Sequence, residues 1–137
     1  MEQSFILNTS YKHFYGWLRI FSSRDTEEKF PTEKGYIHLL RAEVRPTFYE
    51  TYKIMSISGA YVVQKDTDSY SSYPLPDLLE FHIQELNDKR IEVTIRKYSS
   101  AIDSYIQKII SEVNRLWPES KLIENEIGQI GEGIKNG

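Results

Sequence analysis

Residues Leu79 to Pro118 constrain the fold more than any other stretch of the chain. Leu79, Phe81 and Ile83 alternate with Glu80, His82 and Gln84, and Ile91, Val93 and Ile95 alternate with Glu92, Thr94 and Arg96. A period of two is that of a strand with one buried face. The polar run Asn87-Asp88-Lys89-Arg90 separates the two, so together they predict a β-hairpin. Facing residues of an antiparallel pair lie on the same side of the sheet, so the two odd-numbered apolar sets have to oppose each other. Pairing Ile83 with Val93 and Phe81 with Ile95 satisfies this and leaves a loop of three residues, Asn87 to Lys89. On the other face the register sets Glu80 opposite Arg96, a cross-strand charge pair of ~0.2–1 kcal/mol. It also puts His82 opposite Thr94, where exposure to solvent is expected.

A helix follows at once. Ile102, Tyr105, Ile106, Ile109, Ile110, Val113, Leu116 and Trp117 recur at spacings of three and four, which gives one broad apolar face. Ser99 or Ser100 can cap its start, Asp103 suits the dipole in the first turn, and Pro118 ends it.

Upstream, Ser4 to Asn8 reads as a short strand, and Thr9 or Ser10 as the cap of a helix from Tyr11 to about Ser22. Phe14, Trp17, Leu18 and Phe21 share one face of that helix, although Gly16 weakens it by up to ~1 kcal/mol. Ser23 to Lys34 reads as a loop or a single helical turn, and Tyr36 to Val44 as a strand. Thr47 to Ser58 carries two conflicting signals. Thr47-Phe48-Tyr49-Glu50 is a capping-box pattern with Gly59 where a helix would end, yet the β-branched and aromatic content decides for strand. Ala60 to Lys65 is another short strand, and Gln64 to Asp77 a polar, proline-bearing loop. After Pro118, Ile123, Ile127, Ile130 and Ile134 repeat at helical spacing among three glycines. This tail reads as a docking helix, a frayed end, or a segment that engages a partner.

These elements make an α+β chain: an antiparallel sheet packed against a long C-terminal amphipathic helix, with an N-terminal helix added. With 137 residues, one domain over 1–118 and a tail over 119–137 are expected. The formal net charge of −3 gives no general attraction to nucleic acid or anionic lipid, and no nucleic-acid partner is expected. The absence of cysteine excludes disulfides, thiolate metal sites and cysteine nucleophiles, and a reducing cytoplasmic location is the simplest reading. The first residues have neither the basic start nor the apolar run of a secretory leader, and no stretch reaches the ~18 apolar residues of a membrane span.

Motifs for chemistry are sparse. His13, His38 and His82 have no metal-ligand spacing. Asp66-Thr67-Asp68 opens like a calcium loop, but Ser71 stands where that loop needs glycine and Asp77 where it needs glutamate. There is no nucleophile elbow and no phosphate-binding glycine loop. No catalytic residue, metal or cofactor is therefore assigned.

The order of elements resembles a known family. A short strand (SFILNT), a helix (SYKHFYGWLRIF), several antiparallel strands, the hairpin LLEFHIQEL and IEVTIRKY, and a long terminal helix resemble the helix-grip fold of START-like and polyketide-cyclase proteins. The resemblance covers about residues 4 to 117. It implies a curved sheet wrapping the last helix around an apolar cavity for lipids or hydrophobic small molecules. On that reading the protein is a non-enzymatic binding module for a hydrophobic small molecule, with Trp17, Tyr52, Tyr105 and Trp117 as candidate lining residues. The other reading is a protein-interaction or regulatory domain, or a homo-oligomer, acting through the tail or an open sheet edge.

Overall fold

In this computed structural model, residues 2–24, 29–66, 69–118 and 121–123 are described. In chain order the elements are β1 (Glu2–Leu7), α1 (Tyr11–Arg24), β2 (Lys29–Pro31), β3 (Gly35–Arg45), β4 (Tyr52–Asp66), β5 (Ser69–Asn87) and β6 (Arg90–Lys97). A 3-10 turn (Ser100–Ile102) then leads into α2 (Asp103–Leu116), and β7 (Lys121–Ile123) follows. The strands form one antiparallel sheet in the order β2-β3-β4-β5-β6-β1-β7, curled into an open half-barrel.

The hairpin register is the one its alternation predicts: Phe81 faces Ile95 and Ile83 faces Val93. The first strand extends the same inner face, with Phe5 opposite Val93 and Leu7 opposite Ile91. Phe81, Ile83, Ile91, Val93, Met55 and Ile57 are buried on it, together with Ile102, Tyr105, Ile106, Ile109 and Val113 of the terminal helical run. Phe14, Leu18 and Phe21 of α1 join this core, the Phe14 ring lying 6.2 Å from Phe81. Both helices thus cover one face of the sheet, as their apolar stripes require. Ser99 caps the terminal helix by accepting from the Ala101 amide, and the Ser10 hydroxyl accepts from the His13 amide at the start of α1.

Several expectations are corrected. The hairpin turn holds two residues, Asp88 and Lys89, with Asn87 opposite Arg90. An irregularity between Glu85 and Asn87 absorbs Leu86, and the Asn87 side chain accepts from the Lys89 amide, so no glycine is needed. The Ser23–Lys34 segment gives up its first residues to α1 and contains the edge strand β2; residues 25–28 lie outside the described residues. At the β3–β4 turn the Thr47 hydroxyl donates to the Tyr49 and Tyr52 carbonyls, so the residue of the capping-box pattern pins a turn and β4 starts at Tyr52.

The largest correction is the Gln64–Asp77 loop, which is strand. β4 runs on to Asp66, and β5 starts at Ser69 and passes through Pro74 and Pro76. Proline is tolerated there because, among the described residues, Ser69 to Leu75 pair with β4 alone, while β6 joins β5 from Leu79 onward. Between the pairs Ile57–Leu79 and Gly59–Leu75, three residues of β5, Pro76 to Leu78, lie against one of β4, Ser58. This bulge turns Leu78 onto Gly59, where a Cβ would lie 3.0 Å from the leucine Cδ2 and 2.5 Å from the His38 carbonyl oxygen. Of the stretch that opens like a calcium loop, Asp66 and Ser69 face each other across the hairpin, and Thr67 and Asp68 lie outside the described residues. Beyond Pro118, Lys121–Ile123 pairs with β1 as a strand, and the rest of the isoleucine-rich tail lies outside the described residues. Among the described residues no helix is long and apolar enough to cross a membrane.

Candidate functional site

The sheet reaches further than the helix it curls around. Ile37, Tyr61 and Tyr73 lie opposite one another on neighbouring strands, continuing the inner face past the start of the terminal helix at Ser100. An open cleft of about 470 Å³ forms there. Ile37, Tyr61, Leu75 and Leu78 make its apolar wall, and Thr32, Asp77, Tyr98 and Ser99 place polar groups around it. An apolar concavity with a few convergent polar groups is the common form of a small-molecule site. The β5 bulge matters to its shape, because it brings Pro76, Asp77 and Leu78 to the same opening.

Of the four residues expected to line a cavity, three pack together between the helices and Tyr52 lies on the outer face. Trp17 and Trp117 meet edge to face with ring centroids 5.7 Å apart, and both pack on Phe14. Tyr105 is fully buried between Phe21 and Phe30. Phe21 also stacks on Trp17, so these three residues belong to one aromatic cluster joining α1 to α2. Tyr52 stands on the opposite face of the sheet and does not meet them. None of the four lines the apolar cleft. Wall residues Tyr61 and Leu75 were missed because a segment read as two short pieces and a loop gave no reason to place them on one inner face.

The outer face carries a second constellation. His82 presents Nε2 to Oε1 of Glu80 at 2.8 Å, and its Nδ1 is hydrogen-bonded to the Tyr52 hydroxyl. The Arg45 Nη1 donates to the other Glu80 oxygen at 2.5 Å, and the Tyr98 hydroxyl donates to Oε1 at 3.1 Å. Glu80 is only 5 % exposed and the His82 side chain 10 %, which corrects the expectation of a solvated histidine. Burial by itself raises the Glu80 carboxyl, but the hydrogen bonds from His82 and Tyr98, the charge of His82 when protonated and that of Arg45 outweigh it and hold the group below its ordinary 4.5. Burial pushes the Tyr52 phenol up, with Glu80 and Glu2 adding to the rise and Arg96 opposing it. Glu80 does face Arg96 in the register, yet the expected pair does not form: Arg96 turns to Glu2, its neighbour on β1, and Glu80 to Arg45 on β3.

A shallow cleft of about 320 Å³ opens on this face, lined by Tyr52 and His82 with Ser4, Glu92, Thr94 and Arg96 among its other residues. The Ser4 and Thr94 hydroxyls bond each other at 2.8 Å. Among the described residues no three His, Asp or Glu side chains are grouped so as to hold a metal ion.

No family model, curated protein or solved structure matches the chain.

Proposed function

We propose that the protein is a binding module for a small apolar molecule with a polar end, held in the cleft between the far end of the sheet and the start of the terminal helix. The observation that carries this reading is the apolar wall in which half-buried Tyr61 and Leu75 lie over buried Ile37 and Leu78, edged by hydroxyl and carboxylate groups. Burying apolar surface there is favourable by roughly 25 cal/mol per Å². The rim hydroxyls of Tyr98, Ser99 and Thr32 suit a carbonyl, hydroxyl or carboxylate end. The curled sheet with a terminal helix is compatible with helix-grip architecture, and the resemblance to START-like proteins adds support of the same kind. Residues 1–118 are read as the binding domain.

The test uses the full chain and 8-anilinonaphthalene-1-sulfonate as probe. Saturable enhancement of its fluorescence is expected, with most of the signal lost in Leu75→Glu. Native mass spectrometry of the freshly purified chain should show a co-purified small molecule. Absence of saturable binding, or binding untouched by Leu75→Glu, overturns the assignment.

A further inference from the structure

We propose that Tyr52, His82 and Glu80 form a proton relay whose reacting group is the Tyr52 hydroxyl, and that the outer-face cleft accepts a small polar ester. The site shares no lining residue with the apolar cleft, so the two assignments stand or fall separately.

The roles follow from the donors. An ionised carboxylate only accepts, so His82 gives its Nε2–H to Glu80. In the neutral imidazole that leaves Nδ1 as an acceptor, to which the Tyr52 hydroxyl can donate. A hydroxyl bonded to an imidazole, whose far nitrogen is held by a buried carboxylate, is the arrangement that strips a weak nucleophile of its proton as it attacks. Glu80 is fixed in turn by Arg45 and Tyr98, so the imidazole is oriented from behind. A phenol pushed up by burial keeps its proton at rest, as a donor to His82 must.

The lining sets the substrate class. Ser4, Thr94, Glu92 and Arg96 make a polar surface that suits a short, hydrophilic acyl compound and not a long alkyl chain. Arg96 supplies positive charge for the oxyanion that forms on attack.

In the step, the Tyr52 oxygen bonds to the carbonyl carbon while its proton moves to Nδ1 of His82. Glu80 stabilises the imidazolium without taking up the proton. Nδ1–H then protonates the departing alkoxide as the carbon–oxygen bond breaks, leaving acyl-Tyr52 and a free alcohol. Water attacks the acyl carbon next, its proton passing through His82 to the tyrosine oxygen. The sum is ester plus water to carboxylic acid plus alcohol, with no change of oxidation state. Tyr52 and His82 are the catalytic residues, and Glu80 is a positioning residue.

The test incubates the full chain with 4-nitrophenyl acetate, maps acetylation by peptide mass spectrometry, and follows 4-nitrophenolate release. Tyr49 lies exposed in the turn just before β4 and makes no relay, so it is an internal standard within the same sample. Acetylation of Tyr52 is expected at least about a hundredfold faster than that of Tyr49, the usual scale of general-base assistance. Tyr52→Phe should abolish the burst of nitrophenolate, and His82→Gln should bring the Tyr52 to Tyr49 ratio to about one, with unchanged far-ultraviolet circular dichroism. Glu80→Gln should lower that ratio while leaving Tyr49 labelling as it was. Labelling that simply follows exposure across Tyr49, Tyr70 and Tyr73, with Tyr52 slower than these in the unaltered chain, overturns the proposal and needs no variant to be read.

Discussion

Tyr98 donates its hydroxyl to Oε1 of Glu80 at 3.1 Å while the same residue lines the apolar cleft, so one side chain belongs to both the outer polar network and the inner pocket. Asp77 does likewise: it lines the cleft and accepts from Arg45 at 3.2 Å and from Ser56 at 3.1 Å. The rim of the pocket is therefore tied to a buried carboxylate on the other side of the sheet. Replacing Tyr98 by Phe keeps the ring and removes the donor. A loss of about 1 kcal/mol in urea unfolding is expected, together with weaker probe binding in the cleft.

The Glu80 carboxyl sets an acid limit. Its value in the folded chain lies below the 4.5 of the free group, so the folded state binds its proton less readily than the unfolded chain does. Its contribution is therefore fully present above pH 4.5 and disappears as the pH falls through the folded value. Unfolding free energy measured from pH 6 downward should drop along this course. In Glu80→Gln the Glu80 part of the slope vanishes, and the curve lies lower above pH 4.5, where Arg45 and His82 lose their charged partner, and approaches the parent curve at acid pH.

Two glycines make opposite predictions. A Cβ on Gly35 would sit 1.9 Å from the Val62 carbonyl oxygen, a backbone atom of the paired strand, so Gly35→Ala has to push β3 and β4 apart. A cost of about 1–3 kcal/mol is expected from such crowding. Gly16 lies within α1 and an added Cβ meets nothing within 4 Å, so Gly16→Ala should raise stability by about 0.5–1 kcal/mol. Thermal unfolding of the two variants beside the parent checks both signs.

Ser22 links α1 to the sheet. It is buried, and its hydroxyl accepts from the Ala42 amide at 3.1 Å where β3 passes through its irregularity. Ser22→Ala removes the acceptor without adding bulk. The stranded amide should cost about 1–3 kcal/mol, and hydrogen exchange at Ala42 should speed up relative to Ile57 across the ladder.

Legibility in the sequence followed range. Phe81, Ile83, Val93 and Ile95 announced their face through a period of two, and α2 through a period of three and four, because in each case the deciding neighbours lie close along the chain. β5 was hidden because Pro74 and Pro76 read as loop residues, and only the tertiary fact that one side of that stretch has no partner strand among the described residues makes them acceptable. The polar network was hidden for the same reason: Arg45 and Tyr98 reach Glu80 from 35 and 18 positions away, and no local pattern links them. Trp17 and Trp117 were rightly seen as large apolar residues, but aromatic type alone does not separate helix-to-helix packing from the wall of a pocket.

The one-sided half of β5 also bears on edge-to-edge association between copies of the chain. Among the described residues, Ser69 to Leu75 has a neighbour along one flank alone, which would ordinarily invite a strand from another molecule to add on. Pro74 and Pro76 withhold two amide donors from that flank, and the bulge at Pro76–Leu78 breaks its straight run before β6 begins. If the prolines that disguised this strand in the sequence block such stacking, their replacement should show first as concentration-dependent aggregation.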